Sequence, residues 1–513
     1  MNKPVGFDPQ PPRPVWGIRP PPRKTRSMQR PILVAPAPDR VVIPVRQCIG
    51  MEAEPIVAVG DTVLAGQPIA RARTSVENNH PPQLHASIAG TVEAISDHAV
   101  PSSPLRLEPC ITIAGDGSDA RYTGYDNAAD PLQMEPALLC GLLAEAGIVG
   151  LGGALFSTAD KLATGDMVDT LILNGTECEP YITCDEILMR EHARRILEGA
   201  RIMMRAVGAT RIIVGIESDM PEARVAIWDI IEAEQLNDVF VSIVTAKYPA
   251  GGERQLIQLV TGEEVPDGKL PSEIGYVCQN VGTAAAVADF FRDGRPLISR
   301  VVTVTGRGIA EPMNIDVRIG TLIGDLFEFC GGISDDASHL VMGGPMMGIS
   351  LTDDSVPITK ATNCLIVMTP AEVAPTRPEA PCIRCGECSQ VCPANLLPQE
   401  LLSAARRHDM AALTEFGLSA CIECGCCDFV CPSQILLTDR FIEAKRELAE
   451  YAAESDRAVH ARRRFEAREA RLAAQKARHD EARADVDESI DDIMARIDGN
   501  GDGNGDREEA GNE

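Results

Sequence analysis

The chain has 513 residues, a net charge of −27, and 44% apolar and 4% aromatic residues. That length exceeds what one hydrophobic core serves and calls for three or more domains. The acidity argues against nucleic acid as a partner, because phosphate binding needs a basic face, and no run approaches the ~18 apolar residues of a membrane span.

Residues 1–35 form a basic, Pro-rich arm. Residues 1–46 hold 9 Lys and Arg against 2 Asp and Glu, and 12 prolines that oppose helix and sheet. Such an arm can rest on anionic lipid or an acidic partner. The plainer expectation is a solvated, disordered tail. It lacks the apolar segment of a secretory signal.

Residues 36–120 read as short strands. "VAVGDTVLAGQPIA" and "HASIAGTVEAI" place the turn pairs Gly60-Asp61 and Gly66-Gln67 between β-branched runs. Residues 130–292 alternate in type. The apolar runs "TLILNG" and "RIIVGIES" flank a long amphipathic helix pattern from Cys184 that Gly208 closes, which implies an α/β layer fold. Residues 296–370 turn β-rich again around a short helix at "GTLIGDLFEFCGG". Residues 375–440 carry the cysteines among short helices. Residues 441–513 read as a charged helical extension and a disordered acidic tail. The whole is a multidomain α/β and α+β chain.

Nine of the 17 cysteines lie in residues 382–431, a density that points to metal in a reducing compartment. "PCIRCGECSQVCP" and "ACIECGCCDFVCP" share the spacing C-x2-C-x2-C-x3-C-P. In this bacterial ferredoxin pattern, three thiolates on a tight turn hold three irons, and the fourth cysteine serves the other cluster. Cys382, Cys385, Cys388 and Cys431 are therefore assigned to one [4Fe-4S] cluster, and Cys392, Cys421, Cys424 and Cys427 to a second. Cys426 is the spare, because Glu387 stands at its place in the first run. Zinc is the alternative, but it favours paired C-x-x-C units without the trailing proline.

A wire of two clusters needs a donor. "GIVGLGGALFSTADK" offers Gly150, Gly152 and Gly153, whose N–H groups suit a phosphate, with Lys161 adding charge. Asn174 ends an apolar strand, with Glu177 and Glu179 just beyond, where open α/β sheets bind ligands. The alternative for these acids is a helix N-terminus, where the dipole favours negative charge. "KYPAGGERQLI" and "QNVGTAAAV" add Tyr248, Glu253, Asn280 and Thr283.

These stretches resemble a known family. The Gly-rich loop, "NGTECEP" and "NVGT" are similar to the FMN motifs of the NADH-oxidising subunit of respiratory complex I. The order of segments resembles the RnfC family, the C subunits of Rnf-type (Rsx) ion-translocating electron transport complexes, over about residues 35–480. The resemblance implies a lipoyl-like barrel-sandwich domain (36–120), an FMN- and NADH-binding domain (130–292), a β-grasp, SLBB-like domain (296–370) and a helical ferredoxin-like two-cluster domain (375–440). It further implies non-covalent FMN and NADH held by Gly150, Gly152, Gly153, Lys161, Asn174, Glu177, Tyr248, Glu253, Asn280 and Thr283, with no catalytic residue beyond the flavin site. Electrons would pass to membrane subunits, with ferredoxin or flavodoxin at the far end, coupled to Na+ or H+ movement. The place is the cytoplasmic side of a bacterial inner membrane, peripheral and without a spanning segment. Relative to complex I, Leu151 replaces an Arg, Leu155 a Gly and Thr176 an Asp.

The lipoyl-like segment "RARTSVENNHPPQL" has no lysine to modify, so it reads as a docking module. The tail from Asp498 to Glu509 fits a calcium-loop pattern, but Gly/Asn/Asp repetition produces it readily and no exit helix follows. Two other functions remain: a soluble reductase of the cobalamin-reductase type, and a non-catalytic electron wire or docking subunit.

Overall fold

The computed structural model describes residues 14–73, 80–102, 106–125, 129–165, 167–373 and 377–498. Residues 1–13 of the arm, residues 74–79 of the segment searched for a modifiable lysine, and the calcium pattern from Asn500 onward lie outside the described residues.

Two small antiparallel sheets close over a core of Val41, Ile43, Ile69, Leu84, Val92, Ile111 and Ile113. One sheet joins Arg40–Pro44, Arg106–Gly115, Gly90–Val100 and Thr62–Val63, and the other joins Glu52–Pro55, Pro68–Arg73 and Leu84–His85. Next comes a parallel four-stranded sheet in the order Val239–Val244, Arg211–Glu217, Thr170–Gly175, Tyr276–Asn280. Its strands are almost wholly apolar, as strands covered on both faces must be.

The helix Cys184–Val207 buries Ile187, Leu188, Ile196, Leu197 and Met203 on this sheet and stops at Gly208, whose φ of 76° is left-handed. It crosses the helix Val281–Asp293 at Gly199, where an added Cβ would lie 1.8 Å from the Ala284 carbonyl oxygen. Close helix contact is thus the reason for glycine there.

A third sheet, of six strands, runs in the order Leu33–Val34, Met313–Arg318, Ser299–Thr305, Cys364–Met368, His339–Met342, Ile349–Leu351, with the helix Ile323–Phe329 packed in its core. Its edge strand, Leu33–Val34, comes from the arm. The cysteine region follows as short helices at Glu387–Val391, Pro398–Arg406, Met410–Glu415 and Cys426–Val430. It runs into the helix Leu437–Asp498, exposed from Glu450 onward. No described helix is long and apolar enough to cross a membrane.

From residue 14 the arm departs from the expectation of a solvated tail. Trp16 is 7% exposed and packs with Ile172, Val244 and Leu256 of the parallel-sheet domain. Ile18 exchanges backbone hydrogen bonds with Tyr248, at 2.8 and 3.0 Å. Proline deprives a chain of helix and sheet, but an extended segment can still be ordered by side chains that find a core.

Two substitutions test this packing. Trp16→Ala should cost about 3 kcal/mol in a denaturant titration, whereas Val15→Ala, at a side chain 93% exposed, should be silent. Gly199→Ala should destabilise the same domain by about 2 kcal/mol by forcing the two helices apart.

Candidate functional site

The Gly-rich loop is closed from both sides. Gly150 N–H donates to the Phe156 carbonyl at 2.9 Å, and Leu151 N–H donates to Thr283 Oγ1 at 2.9 Å. Gly152 and Gly153 form the exposed tip. An added Cβ on Gly152 would approach the Asn280 side chain at 3.6 Å, and one on Gly153, at φ 106°, would meet nothing within 4 Å. The backbone therefore lies open to a ligand, which fits a phosphate or ring seated on it. Leu155, where complex I has glycine, sits at φ 50°, so the departure leaves the left-handed turn intact at a cost of about 1 kcal/mol.

The strand ends supply the rest of the rim. Asn174 lies in register with Asn280 on the neighbouring strand. Asn174 Nδ2 donates to the Gly251 carbonyl at 2.9 Å, and its Oδ1 accepts from Thr176 N–H at 3.1 Å. Asn280 Oδ1 accepts from Gly282 N–H and caps the helix behind it, while its Nδ2 donates to Asp185 at 2.6 Å. Lys161 pairs with Glu253 at 2.5 Å, both half-buried. Gly150, Gly152, Gly153, Lys161, Asn174, Glu253, Asn280 and Thr283 are thus brought to one edge of the sheet.

Glu177 and Tyr248 are engaged elsewhere. Glu177 is 6% exposed and accepts from the N–H groups of Asp185 and Glu186, at 2.9 and 3.2 Å, and from the Cys184 thiol. It caps the helix Cys184–Val207, which also explains why Glu177, Cys184 and Asp185 crowd together like metal ligands. Tyr248 is 2% exposed, and its hydroxyl donates to the Cys424 carbonyl at 2.7 Å.

Sequence reasoning missed three cations here. Arg300, from the six-stranded domain, donates to the Leu151 carbonyl at 3.2 Å, beside the position where complex I has its own arginine. Lys360 is fully buried and donates to the Gly147 carbonyl at 2.7 Å, and burial brings it down to about 8. Lys24, from the arm, donates to the Glu177 carbonyl. Their partners lie more than a hundred residues away in the chain, so no local pattern marks them.

The cysteines form two nests. One cavity is lined by Cys382, Cys385, Cys388 and Cys431, and a second by Cys392, Cys421, Cys424 and Cys427. Each nest takes one cysteine from the other run, as ligand sharing requires, and four thiols around one space fit a four-iron cluster. Cys426 also lines the second cavity, is 1% exposed, and packs with Tyr248 and Ile18.

The nests differ in setting. Cys382 and Cys385 are exposed. The second nest faces the parallel-sheet domain, whose contacts land beside its cysteines. Besides the Tyr248 bond, Gln255 donates to the Pro393 carbonyl at 3.3 Å and Gly17 N–H to the Val391 carbonyl at 2.9 Å. Glu179 accepts from the N–H groups of Met346 and Met347, and Met346 in turn lies against Gly425.

Burial pushes the Glu179 carboxyl up to about 7 and that of Glu217, 3% exposed, to about 8. A raised carboxyl binds its proton more tightly folded than unfolded. Folding stability therefore falls as pH rises from the ordinary carboxyl range, near 4.5, through 7 and 8. Glu217→Gln should match the wild type at pH 5 and exceed it by about 2 kcal/mol at pH 8.5. Parallel unfolding curves at the two pH values check this.

Comparison with known proteins follows the same division. Residues 15–118 match the RnfC barrel sandwich hybrid domain, 143–289 the Nuo51 FMN-binding domain, 301–350 the SLBB domain, and 381–436 a 4Fe-4S dicluster domain. Three relatives are each described as the C subunit of an ion-translocating oxidoreductase complex. That of Pseudomonas aeruginosa is 44% identical over 89% of this chain and 58% of its own length. That of Serratia proteamaculans is 42% identical over 91% and 65%. That of Yersinia pestis is 40% identical over 95% and 79%. The chain thus spans less than two thirds of the first two. Among solved structures, an NAD+-reducing [NiFe]-hydrogenase in the H2-reduced state reaches a TM-score of 0.45 at 19% identity, over 62% of this chain and 61% of that one.

Proposed function

The chain belongs to the RnfC family, the C subunits of ion-translocating oxidoreductase complexes, and from that premise we propose that it is the NADH-oxidising, peripheral electron-entry subunit of such a complex. It works at the cytoplasmic face of a bacterial inner membrane. Its partners are the membrane subunits of the complex, with ferredoxin or flavodoxin at the far end of the chain. The observation that carries this reading is the seam where the domain that bears the Gly-rich rim meets a four-thiol nest, fastened by the Tyr248 hydroxyl on the Cys424 carbonyl.

FMN, when bound, converts the hydride of NADH into single electrons, which [4Fe-4S] clusters can carry. The chain's own residues place and shield this chemistry. Gly152 and Gly153 admit the ligand to the backbone, and Lys161 offers charge at the rim. Asn174 and Asn280 hold the strand ends and the neighbouring loops in register. Cys392, Cys421, Cys424 and Cys427 form the inner nest, against this domain. Cys382, Cys385, Cys388 and Cys431 form the outer nest, toward solvent. That setting supports the inner nest as the entry and the outer nest as the exit to a partner. The soluble-reductase and passive-wire readings draw no support from the relatives.

The test uses full-length protein reconstituted anaerobically with iron, sulfide and FMN. NADH should reduce both clusters, seen by EPR, only when FMN is present. Cys421→Ser should leave the outer cluster reducible by dithionite but not by NADH, whereas Cys385→Ser should leave the inner cluster reducible by NADH. Cys426→Ala should keep both clusters. An outer cluster that NADH still reduces normally in Cys421→Ser contradicts the order.

A further inference from the structure

The helix Leu437–Asp498 leaves the cysteine region after burying Phe441 and Ala444 in that region's core. Lys445 ties it back, donating to the Cys421 carbonyl and the Glu423 carboxylate, both at 2.6 Å. From Glu450 to Ile497 every residue is exposed. That stretch is about 70 Å long. Most helical stability in a protein comes from packing one face, and here the face has nothing to pack on among the described residues.

The sequence of the stretch is not that of a solvated helix. Phe465, Leu472, Val486 and Ile493 stand at multiples of seven, with His479 in the middle place. The four apolar side chains are 51% to 60% exposed. Ile490 and Ile497 widen the line at its far end and complete a coiled-coil spacing over 486–497. Scattered exposed apolar side chains are ordinary, but a seven-residue period keeps these on one slowly winding line, which two helices bury by supercoiling.

The charges divide at the same residue. Residues 457–478 hold 8 Lys and Arg against 2 Glu, and residues 480–497 hold 7 Asp and Glu against 2 Arg. Among the described residues the stretch makes one ion pair of its own, Arg462 with Glu466. A parallel second copy sets like charge on like. An antiparallel copy centred on His479 sets basic half on acidic half, twice. It also brings the Phe465–Leu472 part of one apolar line to the Val486–Ile497 part of the other. Charges beside a seam choose partner and direction in this way.

We propose that this helix is a dimerisation element, pairing antiparallel with the same helix of a second copy of the chain, centred near His479. The apolar line supplies the seam, and the two charged halves fix its direction. The pairing goes beyond the electron-entry reading and does not rest on it.

Analytical ultracentrifugation of the full, cluster-loaded chain tests this. The wild type should dimerise. Leu472→Asp should raise the dimer Kd about a hundredfold, since it removes a leucine from the seam in both copies. Raising salt from about 0.05 M to about 0.5 M should weaken the dimer about tenfold, because opposite charges are being screened. One variant combines Arg464→Glu, Arg468→Glu and Arg471→Glu, and another combines Asp487→Lys, Glu488→Lys and Asp491→Lys. Each should be monomeric alone, and their mixture should dimerise again. All six side chains are exposed, so the domains keep their cores in both variants. A wild type that stays monomeric at about 100 μM overturns the proposal. So does a dimer indifferent to Leu472→Asp, which is joined elsewhere, a dimer that tightens with salt, as a parallel pair does, or a mixture that stays monomeric.

Discussion

The contact on which the molecule depends is the hydrogen bond from the Tyr248 hydroxyl to the Cys424 carbonyl. It is buried, it joins two domains 176 residues apart in sequence, and around it pack Ile18, Cys178, Met346 and Cys426 from the arm, the strand-end loop, the six-stranded domain and the cysteine region. Single-electron chemistry needs a donor and acceptor held at short, fixed separation. A buried seam of four chain segments around one satisfied phenol provides that rigidity, because a buried polar group that would lose its partner resists opening. In the function proposed above, the two cysteine nests extend that path outward.

The N-terminal arm binds the assembly together. It contributes a strand edge to the six-stranded sheet, a tryptophan to the parallel-sheet core, a backbone bridge to Tyr248 and an ammonium to the acidic strand ends. Lys360 and Arg300 make similar ties between the six-stranded domain and the base of the Gly-rich loop. The loop is therefore held by groups from outside its own domain, which spares it the motion that so many exposed glycines would otherwise allow.

What the sequence discloses follows from how local each signal is. The grouping of the eight assigned cysteines is legible, since the repeated spacing sets three of one run against the fourth of the other, and the two cavities hold those crossed sets, the second with Cys426 as well. The Gly-rich loop and the asparagines at the strand ends are legible for the same reason. Glu177 is open to two readings in the sequence, ligand group or helix cap, and the capping hydrogen bonds place it with the helix. Tyr248 is visible as a candidate but its direction is not, because its partner belongs to another domain. The arm misleads because its prolines suggest disorder while Trp16 and Ile18 supply the order. Lys24, Arg300 and Lys360 are invisible, since each acts across 149 residues or more of chain.

The most direct test of the account is the order in which the two nests receive electrons. Protein mixed with NADH and frozen at successive millisecond times can be read by EPR, with the two cluster spectra identified from the single-nest cysteine variants. The account predicts that the signal of the Cys392, Cys421, Cys424, Cys427 nest rises first and that of the Cys382, Cys385, Cys388, Cys431 nest follows. A signal that rises first at the outer, solvent-facing nest would contradict it.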